Sequence, residues 1–134
     1  RAHGVIRELR ARFGDELRVV FRHFPRAAAH PHAERAAALA EAAAAHGKFW
    51  EVHDALLEHE GELDEAALER YATTFEVPAG HYEAGHEYAR RVRDDVLSGR
   101  RSGVGGTPTF YINGRRHDGA NDAETLQAAI EAAR

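Results

Sequence analysis

Apolar residues recur along this chain at helical spacing for most of its length. Val5, Ile6, Leu9 and Phe13 lie three and four apart and predict an amphipathic helix from the first residues. Gly14 follows as a residue able to take the left-handed conformation that closes a helix. Leu17-Arg-Val-Val-Phe-Arg-His-Phe24, rich in branched and aromatic side chains and stopped by Pro25, predicts a strand. Pro31 opens an alanine-rich helix that runs to about His46 and ends at Gly47. Phe49, Val52, Leu56 and Leu57 mark the next helix. Leu63, Ala67, Leu68, Tyr71, Ala72 and Phe75 mark another, closed by Pro78. Tyr82, Ala89, Val92 and Val96 mark a fourth, which gives way to a loop over 98–106.

Thr109 to Ile112 reads as a second strand. Asn113-Gly114 after it is the strongest short hairpin signal, because a type I′ turn needs positive φ at both positions. Arg115 to His117 returns as a short strand. Asn121 with Glu124 forms a capping-box pattern, and Leu126, Ala129, Ile130 and Ala133 turn a last helix inward. The order is helix, strand, four helices, hairpin, helix. A leading helix followed by a strand implies a βαβ unit whose first strand is missing, so the fold class expected is α/β.

Composition narrows the functions open to such a fold. With 134 residues and 43% hydrophobic content, the chain can bury a real core. A net charge of -4 argues against a nucleic-acid or anionic-membrane surface as the main partner. No apolar run approaches the roughly 20 residues that span a bilayer. Arginine dominates the basic residues, with Lys48 the single lysine. Cysteine is absent, which excludes disulfides, thiolate catalysis and cysteine-ligated metal within these 134 residues.

Ten histidines raise the question of a metal. His30 and His32 flank Pro31; His46, His53 and His59 are seven and six apart; His81 and His86 are five apart. None forms an i, i+4 pair, and no HExxH pattern occurs, so solvated or capping roles are expected and no metal. Carboxylates between Glu34 and Glu41 and between Glu58 and Glu69 read as outer helix faces. Ser98 and Ser102 lack the context of a nucleophile, and Phe49 and Trp50 read as core.

Four segments are more specific. Val104-Gly-Gly-Thr-Pro-Thr-Phe-Tyr-Ile-Asn-Gly114 resembles the proline loop and hairpin of the thioredoxin superfamily. Val20-Phe-Arg-His-Phe-Pro25, His30-Pro-His-Ala33 and Gly47-Lys-Phe-Trp-Glu-Val-His-Asp54 resemble the body of DsbA-like proteins, which insert a helical block into the thioredoxin core. The likeness runs over the whole chain. It implies one domain, 1–134, with a helical insertion at about 28–100 and the first core strand missing. In that family the strand ends in Cys-x-x-Cys, which leads straight into the helix beginning here at Arg1. The cysteines are therefore expected immediately before Arg1, with Arg1 and His3 solvated in the first turn.

By the same resemblance Pro108 corresponds to the cis-proline that faces the redox pair, and Thr107 to the residue whose backbone pairs with extended substrate. The activity implied is thiol–disulfide exchange, by a thiolate whose pKa is lowered at a helix N-terminus. It needs no cofactor. The partners are a substrate protein bearing thiols or disulfides and a redox partner that resets the cysteines, with no nucleic acid and no membrane insertion of this segment. The compartment implied is extracytoplasmic, although some relatives are cytoplasmic and some are fused to a sodium/proton antiporter. Two rival readings stand beside it: a cysteine-free thioredoxin-fold module that binds or chaperones proteins, and a relative of glutathione-dependent isomerases or transferases. An internal strand missing from the sheet also predicts that Leu17–Phe24 and Thr109–Ile112 do not pair directly.

Overall fold

A computed structural model describes residues 2–26, 32–58 and 63–134. Two compact units are present, one formed by Arg1–Phe21 with Val104–Arg134, the other by Arg22–Gly103.

In the first unit, helix α1 (Ala2–Phe13) packs against helix α6 (Ala123–Ala132). Leu9 and Leu126 are its buried side chains, both drawn from the predicted apolar stripes. Asp122 caps α6 through the Thr125 N–H at 2.8 Å, one residue beyond the Asn121 expected from the sequence. Asp122 also accepts the Thr125 hydroxyl, and these two bonds hold its carboxyl below its ordinary pKa. Strands β1 (Tyr111–Ile112) and β2 (Arg115–Arg116) pair antiparallel, Tyr111 opposite Arg116 and Ile112 opposite Arg115. Asn113 at φ 47° and Gly114 at φ 81° make the predicted turn.

Leu17–Phe24 is a correction to the expectation. Leu17 has extended φ and ψ, yet no strand is assigned from 17 to 26, and the sheet of the described residues is the β1–β2 pair alone. Branched and aromatic composition favours extended backbone, but a strand also needs a partner for its ladder. No ladder joins this stretch to β1. Val20 and Phe21 within it are exposed large apolar side chains.

The second unit is helical: α2 (Ala33–Ala44), α3 (Phe49–Glu58), α4 (Glu65–Thr74) and α5 (Glu87–Arg101). Helix α2 packs on each of the other three. Its alanines explain why: Ala36, Ala38, Ala40, Ala42 and Ala43 are all buried, and small side chains bring helix axes close around Leu39. Leu39, Val52, Leu68 and Val92 are fully buried at the centre. Arg35 ties the outside together, pairing with Glu65 and, at 2.7 Å, with Glu83 while lying over the Tyr82 ring. Asp64 caps α4 through the Ala67 N–H at 2.8 Å.

Helices α2 and α4 end in the same way. Lys48 N–H donates to Ala43 O and Gly47 N–H to Ala44 O; Val77 N–H donates to Ala72 O and Glu76 N–H to Thr73 O. Both are Schellman motifs, with Gly47 at φ 73° and Glu76 at φ 58° in the left-handed position. Pro31, expected to open the alanine-rich helix, lies outside the described residues, as do Arg1, His30 and His59.

Candidate functional site

The proline loop follows from its sequence. Gly105 and Gly106 lead into Thr107, and the Thr109 hydroxyl donates to Gly106 O at 2.7 Å, closing a tight turn around Thr107 and Pro108. The Thr107–Pro108 peptide is cis, and both residues are exposed. The backbone then enters the hairpin, where His117 N–H bonds Phe110 O at 2.8 Å just outside β1 and β2. Pro108 brings no N–H of its own to this exposed turn. Helix α1 belongs to the same unit. Arg1, expected at the helix start, is outside the described residues; His3 is half-buried in the first turn, where a solvated side chain was expected.

The histidines divide into groups that sequence spacing does not reveal. His86 caps α5, its ring Nδ1 accepting the Tyr88 N–H, and its ring stacks on His81 at 4.6 Å and on Tyr88 at 4.8 Å. His46 is exposed. His53 is buried, not solvated, and stacks on Phe49 at 5.5 Å with Trp50 edge-on at 5.3 Å. Phe49 packs against the helical core, as its sequence setting suggested.

His23 is the residue that sequence reasoning passed over. Its place in the expected strand Leu17–Phe24 gives no sign of a role for its side chain, which is 5% exposed. Its Nε2 lies 2.8 Å from Glu41 Oε1 on α2, and its backbone N–H donates to Asp95 Oδ2 on α5 at 2.9 Å. The hydrogen bond from His23 holds the Glu41 carboxyl below its ordinary pKa against the opposing effect of burial, with Arg91 helping. Glu41 is therefore not the outer-face carboxylate expected. A single local signal pointed the other way: Glu41 directly follows the apolar run Ala38-Leu39-Ala40 on α2, all three buried in the structure, a poor place for a solvated acid.

A small two-stranded hairpin beside two helices, with an exposed proline loop at the hairpin's entrance, defines an α/β domain of thioredoxin-like type carrying a helical unit. A sequence model described as thioredoxin matches residues 3–132, and the chain belongs to that family. Among curated proteins it is 43% identical over 135 residues to Na(+)/H(+) antiporter NhaA 3 of Salinispora tropica, covering 98% of this chain and 21% of that protein. It is 40% identical over 139 residues to Na(+)/H(+) antiporter NhaA 1 of Mycobacterium sp. strain KMS, covering all of this chain and 23% of the relative. With Na(+)/H(+) antiporter NhaA of Nitrosospira multiformis the identity is 42% over 134 residues, 96% of this chain and 21% of the relative. The chain thus spans about a fifth of the length of these relatives. No solved structure matches it significantly. Among the described residues, no helix is long and apolar enough to cross a membrane.

Proposed function

We propose that these residues form the body of a DsbA-like thiol–disulfide oxidoreductase domain, working with a Cys-x-x-Cys pair supplied ahead of Arg1. The observation that carries the reading is the match of the thioredoxin family to residues 3–132, which includes the exposed loop at Thr107 and Pro108. In this reading residues 1–134 are one domain and the helices between about 28 and 100 are its insertion. Thr107 offers its backbone to an extended segment of the substrate protein, and Pro108 shapes the loop beside the dithiol. The thiolate of the upstream pair attacks one sulfur of the substrate disulfide, forming a mixed disulfide and releasing the other sulfur as thiolate. The second cysteine then resolves the mixed disulfide, and a redox partner resets the pair. We place the site in an extracytoplasmic compartment, where such exchange is sustained. The names of the relatives support one further element, a whole polypeptide in which this domain accompanies a sodium/proton antiporter.

The test compares the 134 residues alone with the polypeptide that includes its natural upstream sequence. The chain alone, having no cysteine, is expected to reduce insulin no faster than a protein-free blank. The longer form is expected to reduce insulin and to yield a trapped mixed disulfide, and Pro108→Ala is expected to lower its kcat/KM several-fold. An upstream sequence without a cysteine pair, or a folded longer form with neither activity nor mixed disulfide, would overturn the reading in favour of a binding module.

A further inference from the structure

His23, Glu41 and Asp95 come from three separate stretches of the helical unit. The first lies in the non-helical segment after Phe21, the second on α2 and the third on α5. Each offers one ligand atom, a ring nitrogen or a carboxylate oxygen, and these atoms lie within 4.8 Å of one another. We propose that the trio is a divalent transition-metal site of the zinc class, with one imidazole and two carboxylates as protein ligands and water completing the shell.

The chemistry of the donor set fits. Imidazole together with carboxylate oxygen selects borderline cations such as Zn2+ over hard cations such as Mg2+, which favour oxygen alone. The geometry is close to what such an ion needs. Zinc holds nitrogen and oxygen at about 2.0–2.2 Å, so neighbouring ligand atoms on a tetrahedral ion stand about 3.4 Å apart. His23 Nε2 and Glu41 Oε1 are 2.8 Å apart, and an ion entering between them replaces their shared proton and moves them apart by a few tenths of an ångström. The third ligand closes from within the 4.8 Å span.

The surroundings hold the ligands in place before any ion arrives. The His23 backbone N–H fixes the Asp95 carboxylate, and the Phe49 ring meets the imidazole edge-on at 5.9 Å. Orientation of ligands by neighbouring hydrogen bonds is a recurring feature of metal sites. His23 is nine-tenths buried, with the carboxylates of Glu41 and Asp95 both within hydrogen-bond reach of it. A metal-free clasp of the same three residues is the competing arrangement, and the two differ in a measurable way.

The experiment titrates ZnCl2 into chelator-stripped 134-residue chain, following heat and thermal melting. A 1:1 complex with a dissociation constant in the micromolar range or tighter is expected, with a rise in Tm. Asp95→Asn keeps an oxygen for the His23 N–H and is expected to weaken binding tenfold or more, and His23→Gln likewise. His81→Ala, away from the trio, is expected to leave binding unchanged. Should the variants unfold, Co2+ added to the native chain keeps the idea testable. Visible absorption typical of four-coordinate cobalt, with NMR broadening centred on His23, supports the site. Zn2+ affinity unaffected by Asp95→Asn, affinity lost with His81→Ala instead, broadening centred elsewhere, or no binding at 1 mM would overturn it.

Discussion

Glu41 illustrates how little a residue's type says about its duty. Its place in a run of alanines and carboxylates suggested a solvated helix face, yet it bonds a buried imidazole. Because the bond from His23 lowers its pKa below the unfolded value, the ionised carboxylate stabilises the folded state above that unfolded value. The contribution is lost as pH falls through the folded pKa. Glu41→Gln removes this dependence. With chelator present, wild type is therefore expected to lose more stability than Glu41→Gln as pH falls from about 5 toward 3. At neutral pH the variant is expected to be less stable by about 1–3 kcal/mol, since a buried partner is left with a weaker bond. Equal acid slopes in urea unfolding at stepped pH would show that the pair is not an ion pair.

Among the elements, the paired helix ends of α2 and α4 offer an internal comparison. The same Schellman geometry closes both, but glycine occupies the left-handed position after α2 and glutamate after α4. A side chain at positive φ crowds its own backbone, at a cost of roughly 1–2 kcal/mol, while glycine pays more chain entropy on folding. The Glu76 side chain is 82% exposed and makes one long ion pair with Lys48 at 3.4 Å, which contributes little. Glu76→Gly is expected to raise stability by roughly 0.5–1 kcal/mol, read as a higher denaturant midpoint at unchanged slope. A lower midpoint would mean that the Lys48 pair outweighs the backbone strain. The helix ends also show what local sequence can express: Gly47 was legible as a stop, whereas nothing in Phe75-Glu-Val-Pro78 announced that glutamate would take the glycine's role.

For the molecule as a whole, the helical unit has its own apolar centre, and Leu39 on α2 sits at 0% exposure among side chains from the neighbouring helices. Leu39→Ala leaves a cavity that surrounding alanines cannot fill, so a loss of about 2–5 kcal/mol is expected in chemical denaturation. A loss well under 1 kcal/mol would mean the helices close over the gap, and the core is softer than its packing implies. The α/β class, the helical block and the order of the elements apart from the strand expected at Leu17–Phe24 were legible in the sequence, because periodicity and turn chemistry act over three or four residues. Stability drawn from α2 lying on three helices at once was not, since it depends on residues tens of positions apart.

That division of range separates what sequence determined from what tertiary structure decided. Helix α1 with Gly14 after it and the hairpin turn at Asn113-Gly114 are written in short motifs whose backbone preferences need no distant partner, whereas the cis bond at Thr107-Pro108 was legible only through the family resemblance. Ladder formation by Leu17–Phe24 is different: composition favours extended backbone there, but only a neighbouring strand can complete its hydrogen bonds, and β1 does not pair with it. The cap on α6 moved from Asn121 to Asp122 because either side chain satisfies the local rule, and the seating of the helix chooses between them. His23, Glu41 and Asp95 are 18 and 54 residues apart in turn, without a motif to join them. Packing of α2 and α5 around the segment after Phe21 brought them together, because burying an imidazole requires polar partners that only the folded chain could supply.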